Sequence, residues 1–252
     1  MRQRALIGAF FLFLVGVVLG ATVFRADSAR ATGSSATEIP GCAPQCLQPA
    51  LTRPGNLPGG KYKTVNFFGG QMTLSFPKGW FSGEDSTGEF SAWARSKPDA
   101  KLLFWEDVYA LRPARPLGTW KRVGPLRRTS ASLLSWLQAN PNLKVSTPAA
   151  GRIGNIPARV VDVRVSKQAM NDDPGCPEKA CANFVQFPQW DGPYGIAGTK
   201  AVTRMYLADI RYGGARHQFV VAVEALSTAE LNAFLPTARK LIASVRVPAT
   251  TG

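Results

Sequence analysis

The uninterrupted apolar run from Ala5 to Phe24 limits this chain more than any other feature. It holds no charge, and only Thr22 and small residues dilute it. As a helix it would be ~30 Å long, one hydrocarbon thickness of a bilayer. Such a segment does not share a core with a soluble domain. Arg2 and Arg4 precede it, Arg25 and Arg30 follow it, and Asp27 partly offsets the latter pair. Two readings of residues 1–31 stay open. A cleaved secretory signal fits the positive start and the small-x-small triplet Ala29-Arg30-Ala31. An uncleaved signal anchor is favoured by the length of the run, and the charge balance slightly favours an N-terminus inside. Lipid anchoring requires a Cys directly after the apolar core, and the first one is Cys42. Both readings put the remainder outside the cytoplasm, with a single-pass anchor preferred over full secretion.

Outside the cell, cysteines in tight pairs read as disulfides. Here they are Cys42 with Cys46 and Cys176 with Cys181. Local and crossed pairings are both open. A four-cysteine zinc site is the alternative, but export argues for bridges, and no metal or other cofactor is expected. The chain's net charge is +14, and removing the four arginines and one aspartate of the leader leaves +11. A basic exported protein is attracted to anionic partners.

Residues 32–60 are rich in Gly, Pro, Ser and Thr and read as a flexible stalk or linker. A single domain is expected over residues 61–248. Lys63–Phe68 and Gln71–Phe76 read as strands joined by a two-residue turn, Gly69-Gly70. Glu89–Arg95 alternates, and Leu102–Leu111 is a further strand-like run with Phe104, Trp105 and Tyr109. Thr129–Asn140 reads as a helix with serines at its start, Leu133, Leu134 and Leu137 on one face, and an Asn140-Pro141 stop. In Ala158–Val165 three valines alternate with Asp162 and Arg164, as in a half-buried strand. Residues 167–200 read as a long aperiodic loop. Val202–Tyr212 and Gln218–Val223 flank Gly213-Gly214 as strands. A capping box at Ser227–Glu230 opens a final helical run, which Pro236 is expected to divide. The fold class is therefore α+β: a mostly antiparallel sheet of about six or seven strands, with two main helices packed on one face. The N-terminal hydrophobic helix precedes it.

The chemistry is sparse. With one histidine, His217, serine-hydrolase triads and two-histidine zinc sites are hard to build. His217 is read as a rim residue. The acidic pairs Asp172-Asp173 and Glu84-Asp85 lack the spacing of a calcium loop and read as solvated. Glu106 and Asp107 are adjacent on a strand and are expected to point to opposite faces. The one basic cluster holds Arg112, Arg115, Trp120, Lys121, Arg122, Arg127 and Arg128. It suits a phosphate-bearing polymer or anionic headgroups. Export argues against nucleic acid. Trp190 is the candidate exposed aromatic contact in the long loop.

The stretch Asn140-Pro141-Asn142-Leu143, Val145-Ser146-Thr147-Pro148, Ile153-Gly154-Asn155-Ile156-Pro157-Ala158 and Val161-Asp162-Val163, with Phe234-Leu235-Pro236-Thr237-Ala238 later, resembles an uncharacterised exported domain of actinobacterial and related proteins. It departs at Asn155, where the family pattern has a second Gly. The Phe76–Trp80 step is similar to that of PsbP-like domains. The resemblance implies an antiparallel sheet packed against helices and carries no catalytic motif. The expectation is a non-enzymatic binding or accessory domain of the cell envelope. Its partners would be an anionic lipid, an envelope polymer or a membrane protein, besides the membrane that holds the N-terminal helix. The alternatives are a hydrolase or transferase acting on envelope material, and a purely structural ectodomain of a membrane complex.

Overall fold

Strands buried on both faces organise the molecule. In the computed structural model, Phe219 to Val223 are fully buried at every consecutive position, so the strand that carries them needs cover on both sides. The structure describes residues 48–49, 55–113, 120–123, 129–167, 169, 180–187 and 193–247. All belong to one compact unit, Ala43–Gly252. The Ala5–Phe24 run, and with it the expected hydrophobic helix, lies outside the described residues. Among those residues no helix is long and apolar enough to cross a membrane.

In chain order the strands are β1 (Gln48–Pro49), β2 (Gly55–Leu57), β3 (Gly60–Lys63), β4 (Thr73–Phe76), β5 (Trp80–Asp85), β6 (Glu89–Ala94), β7 (Ala100–Glu106), β8 (Tyr109–Pro113) and β9 (Trp120–Arg122). Helix α1 (Ser130–Ala139) follows, then β10 (Leu143–Val145), β11 (Ala149–Ile153), β12 (Ile156–Val165), β13 (Cys181–Gln186), β14 (Pro193–Ala197), β15 (Val202–Tyr212), β16 (Ala215–Ala225) and helix α2 (Thr228–Ser244). The first strands fall within the stretch whose composition reads as linker. A nine-stranded sheet runs β10-β12-β15-β16-β7-β6-β5-β2, with β11 also on β12. All its pairings are antiparallel.

Alternation along β7 separates two cores. Leu102 and Phe104 join one cluster, and Leu103 and Trp105 the other, so the clusters lie on opposite faces of the sheet. Helix α2 and the small sheet β1-β3-β4 cover the first face. Helix α1 and the sheet β14-β13-β8-β9 cover the second. The two helices therefore take opposite faces, not one face as the sequence pattern suggested. Each apolar stripe could be read from the sequence, but which side of the sheet it meets could not.

Local rules account for most elements and fail at three places. Thr129 Oγ1 accepts the Ser132 N–H at the start of α1, and Ser227 Oγ accepts that of Glu230 at the start of α2. Gly213 and Gly214, both at positive φ, turn β15 into β16. The expected Gly69-Gly70 hairpin turn is instead the end of a 3₁₀ turn, Phe67–Gly70, and β3 stops at Lys63. The Asp85 carboxylate causes this by accepting from the N–H groups of Val65, Asn66 and Phe67. Phe67 and Phe68 are then both buried. The 167–200 stretch is not all loop, because β13 and β14 pair as an antiparallel hairpin within it. Pro236 does not divide α2, which is continuous. Asn232, whose carbonyl loses its helical partner, and Pro236 are both exposed, so water can take that bond.

Candidate functional site

A cleft lies between α2 and the β10–β12 edge of the main sheet. Its volume is about 560 Å³, within the range of about 300–1,000 Å³ usual for small-molecule sites. Register builds its floor: Val160 stands opposite Tyr206, and Asp162 opposite Arg204. Helix α2 supplies Arg239, Ile242 and Ala243 to one wall, and the β11 strand supplies Ala149 to Arg152 to the other. Gly154 holds the walls in place. It sits at φ +57 in the β11–β12 turn, where a Cβ would collide with the Val245 carbonyl. Its N–H donates to the Ile242 carbonyl at 2.9 Å. Only glycine combines that dihedral with that approach, so the turn docks on the end of α2. Gly151 keeps the floor open, since a Cβ there would run into Val160.

The cleft is cationic. Arg204 forms a two-point ion pair with Asp162, with Nε and Nη2 at 2.7 and 2.8 Å from the two carboxylate oxygens. That pair holds the guanidinium charge, moving its pKa upward against the opposing effect of burial. Arg152 and Arg239 also line the cleft. Both are exposed, and neither has an ion pair among the described residues.

A second constellation overturns an expectation. Glu106 ends β7, but Asp107 adopts φ +50 and breaks the alternation that would send the two carboxylates apart. Glu106 Oε1 and Asp107 Oδ2 lie 2.9 and 3.0 Å from His217 Nδ1. Asp107 Oδ1 accepts the Gln218 N–H at 2.9 Å, and the Asp107 N–H donates to the Gln218 carbonyl at 3.0 Å. The three side chains are mostly buried, 12, 8 and 19% exposed in the order Glu106, Asp107, His217. The Tyr212 ring lies 4.8 Å from the imidazole. Burial, and then the two carboxylates, push the Tyr212 phenol above its ordinary pKa. The ligand atoms lie within 4.8 Å of one another. This is a donor set suited to a hard or borderline divalent cation. The same break ends the Leu102–Leu111 run, so β7 and β8 belong to different sheets. None of the three residues lines the α2 cleft.

A third polar group is enclosed on the opposite face. Tyr194 donates to Glu224 and packs edge-on against Trp105 at 4.6 Å. Burial first, then Glu84 and Glu224, raise the Glu89 carboxyl to about 7. Burial also raises Glu224, against the Tyr194 hydrogen bond and the Lys101 charge.

The basic cluster is divided by its own strand register. Arg112 and Lys121 stand opposite each other on β8 and β9, both exposed. Arg122 pairs with Leu111, so alternation puts it on the other face of the hairpin. There it donates to Gln186 at 2.8 Å and lies 4.3 Å over the Tyr109 ring. Trp120 is half-buried, and its indole N–H has no partner among the described residues. Arg115, Arg127, Arg128 and Trp190 lie outside the described residues, as do Cys42, Cys46 and Cys176. Cys181 is buried and is not a free thiol.

The sequence matches no family model, and no curated protein matches it. Solved structures give partial likenesses. A crystal structure from Bacteroides thetaiotaomicron is similar over 79% of this chain and 50% of its own, with a TM-score of 0.37 and 10% identity. LpqN of Mycobacterium tuberculosis, described as involved in cell envelope biogenesis, is similar over 78% of this chain and 91% of its own, with a TM-score of 0.39 and 12% identity. The Ran-binding protein Mog1p of Saccharomyces cerevisiae covers 76% and 96%, with a TM-score of 0.35 and 11% identity. Such values describe partial overlays of sheets and helices. They establish no family for this chain, PsbP-like or other.

Proposed function

We propose that this is a non-enzymatic binding domain of the cell envelope that holds a small ligand in the α2 cleft. The carrying observation is the cleft itself: a volume of about 560 Å³ with an apolar floor and a cationic lining, its walls fixed by the Gly154 contact. Location outside the cytoplasm is supported by the Ala5–Phe24 run and the paired cysteines. The basic hairpin carrying Arg112 and Lys121 is a further contact surface for anionic envelope material under this reading. The test uses N-phenyl-1-naphthylamine, an uncharged fluorescent probe. Binding with enhanced emission is expected, weakened at least tenfold by Ala149→Trp or Ala243→Trp in proteins with unchanged circular dichroism. Equal binding by both variants overturns the reading.

A second reading, hydrolysis of envelope material, is favoured by one observation: two carboxylates and an imidazole converge at His217. That constellation supplies an acid–base group and cation ligands. Calorimetric titration with Zn²⁺ and Mn²⁺ of wild type and His217→Ala separates it from the first reading.

A further inference from the structure

The cleft joins two chemistries that rarely meet without a ligand to match both. One side is apolar: Val160, the Tyr206 ring and Ile242. The other is cationic, with three arginines against one aspartate. Asp162 is already spent on Arg204, and that pair uses the Nε and Nη2 edge. Among the described residues the Nη1 of Arg204 is left uncommitted, and Asp162 fixes the guanidinium so that little side-chain entropy remains to be lost. Arg239 stands one turn before Ile242 and Ala243 on α2 and makes no ion pair among the described residues. Charges beside low-dielectric walls act more strongly than on open surface, and the guanidinium fork matches carboxylate and phosphate oxygens.

Resting on the cleft reading above, we propose that the ligand is an anionic amphiphile. Arg204 and Arg239 hold its carboxylate or phosphate head, and Val160, Tyr206 and Ile242 cover its apolar chain. A neutral chain of the same length leaves the arginines without a partner, and a cationic one is repelled by them.

The test displaces N-phenyl-1-naphthylamine from the full chain with dodecanoate, dodecyl phosphate, dodecanol and dodecyltrimethylammonium, all below their micellar concentrations. Both anions are expected to compete at least tenfold more strongly than dodecanol, with the cation weakest. The ratio of the two anions identifies the head as carboxylate or phosphate. Arg239→Glu is expected to weaken the anions at least tenfold while leaving dodecanol unchanged. Equal competition by dodecanol, or anion binding that Arg239→Glu leaves intact, overturns the proposal. If that happens while Ala149→Trp still blocks the probe, the cleft reading survives and only the ligand class falls. If Ala149→Trp blocks nothing, the cleft reading falls first.

Discussion

The two faces of the main sheet treat charge in opposite ways. On the α1 face, the β14-β13-β8-β9 sheet packs around Glu89, Glu224 and Tyr194, all half-buried, and burial raises both carboxyls. On the α2 face, helix and hairpin stand apart over Arg204 and Tyr206, and Arg204 keeps its charge through its pair with Asp162. Adjacent strands carry both sets, since Glu224 on β16 stands opposite Thr203, the neighbour of Arg204 on β15. The difference lies in the cover: closer cover makes an acid hold its proton to higher pH, whereas the open cleft leaves cations able to meet a ligand.

That contrast can be broken at several points. The largest effect is expected from Gly154→Val, which combines a forbidden dihedral with a backbone collision. A loss of about 4 kcal/mol in urea unfolding is expected, together with loss of probe binding as the wall leaves α2. A variant as stable as wild type would show that the wall is not fixed there.

The closed face should announce itself through pH. Glu89 rises from an ordinary 4.5 to about 7 in the folded protein. Between those values the native state holds the extra proton, so stability should fall as pH rises, by on the order of 3 kcal/mol. Thermal melts between pH 4.5 and 8 should show this decline, and Glu89→Gln should flatten it. An unchanged slope in Glu89→Gln would place the titration elsewhere.

At the end of the sheet, Asp107→Ala removes the acceptor for the Gln218 N–H and a partner of His217. A loss of about 2 kcal/mol is expected in chemical denaturation. Asp107→Asn should retain part of that stability, because its carbonyl can still accept from Gln218. The smallest effect belongs to Arg122→Ala on the exposed hairpin, where losing the Gln186 bond and the Tyr109 stacking should cost less than about 1 kcal/mol. A larger loss would mean that the hairpin stabilises the α1 face beyond these two contacts.

Much of the fold was legible locally. Thr129 and Ser227 cap the helices that their sequences announce, and Val161, Val163 and Val165 are buried as alternation requires. The cleft was barely legible. Gly154 was visible as a turn residue, but Arg204 and Arg239 carried no signal that they line a common wall. Their meeting depends on the β12–β15 register and on the seat of α2. The Glu106–Asp107–His217 constellation was read wrongly, because strand alternation holds only while φ stays extended and Asp107 leaves that region.

By itself, then, the amino-acid order determined what depends on near neighbours: the apolar N-terminal run, the helix caps, the Gly213-Gly214 turn, strand periodicity and the excess of positive charge. The tertiary structure alone decided which face each helix covers, which acids lose their water, and where arginines distant in sequence converge. Those outcomes come from long-range pairing and desolvation, which no short window of sequence contains.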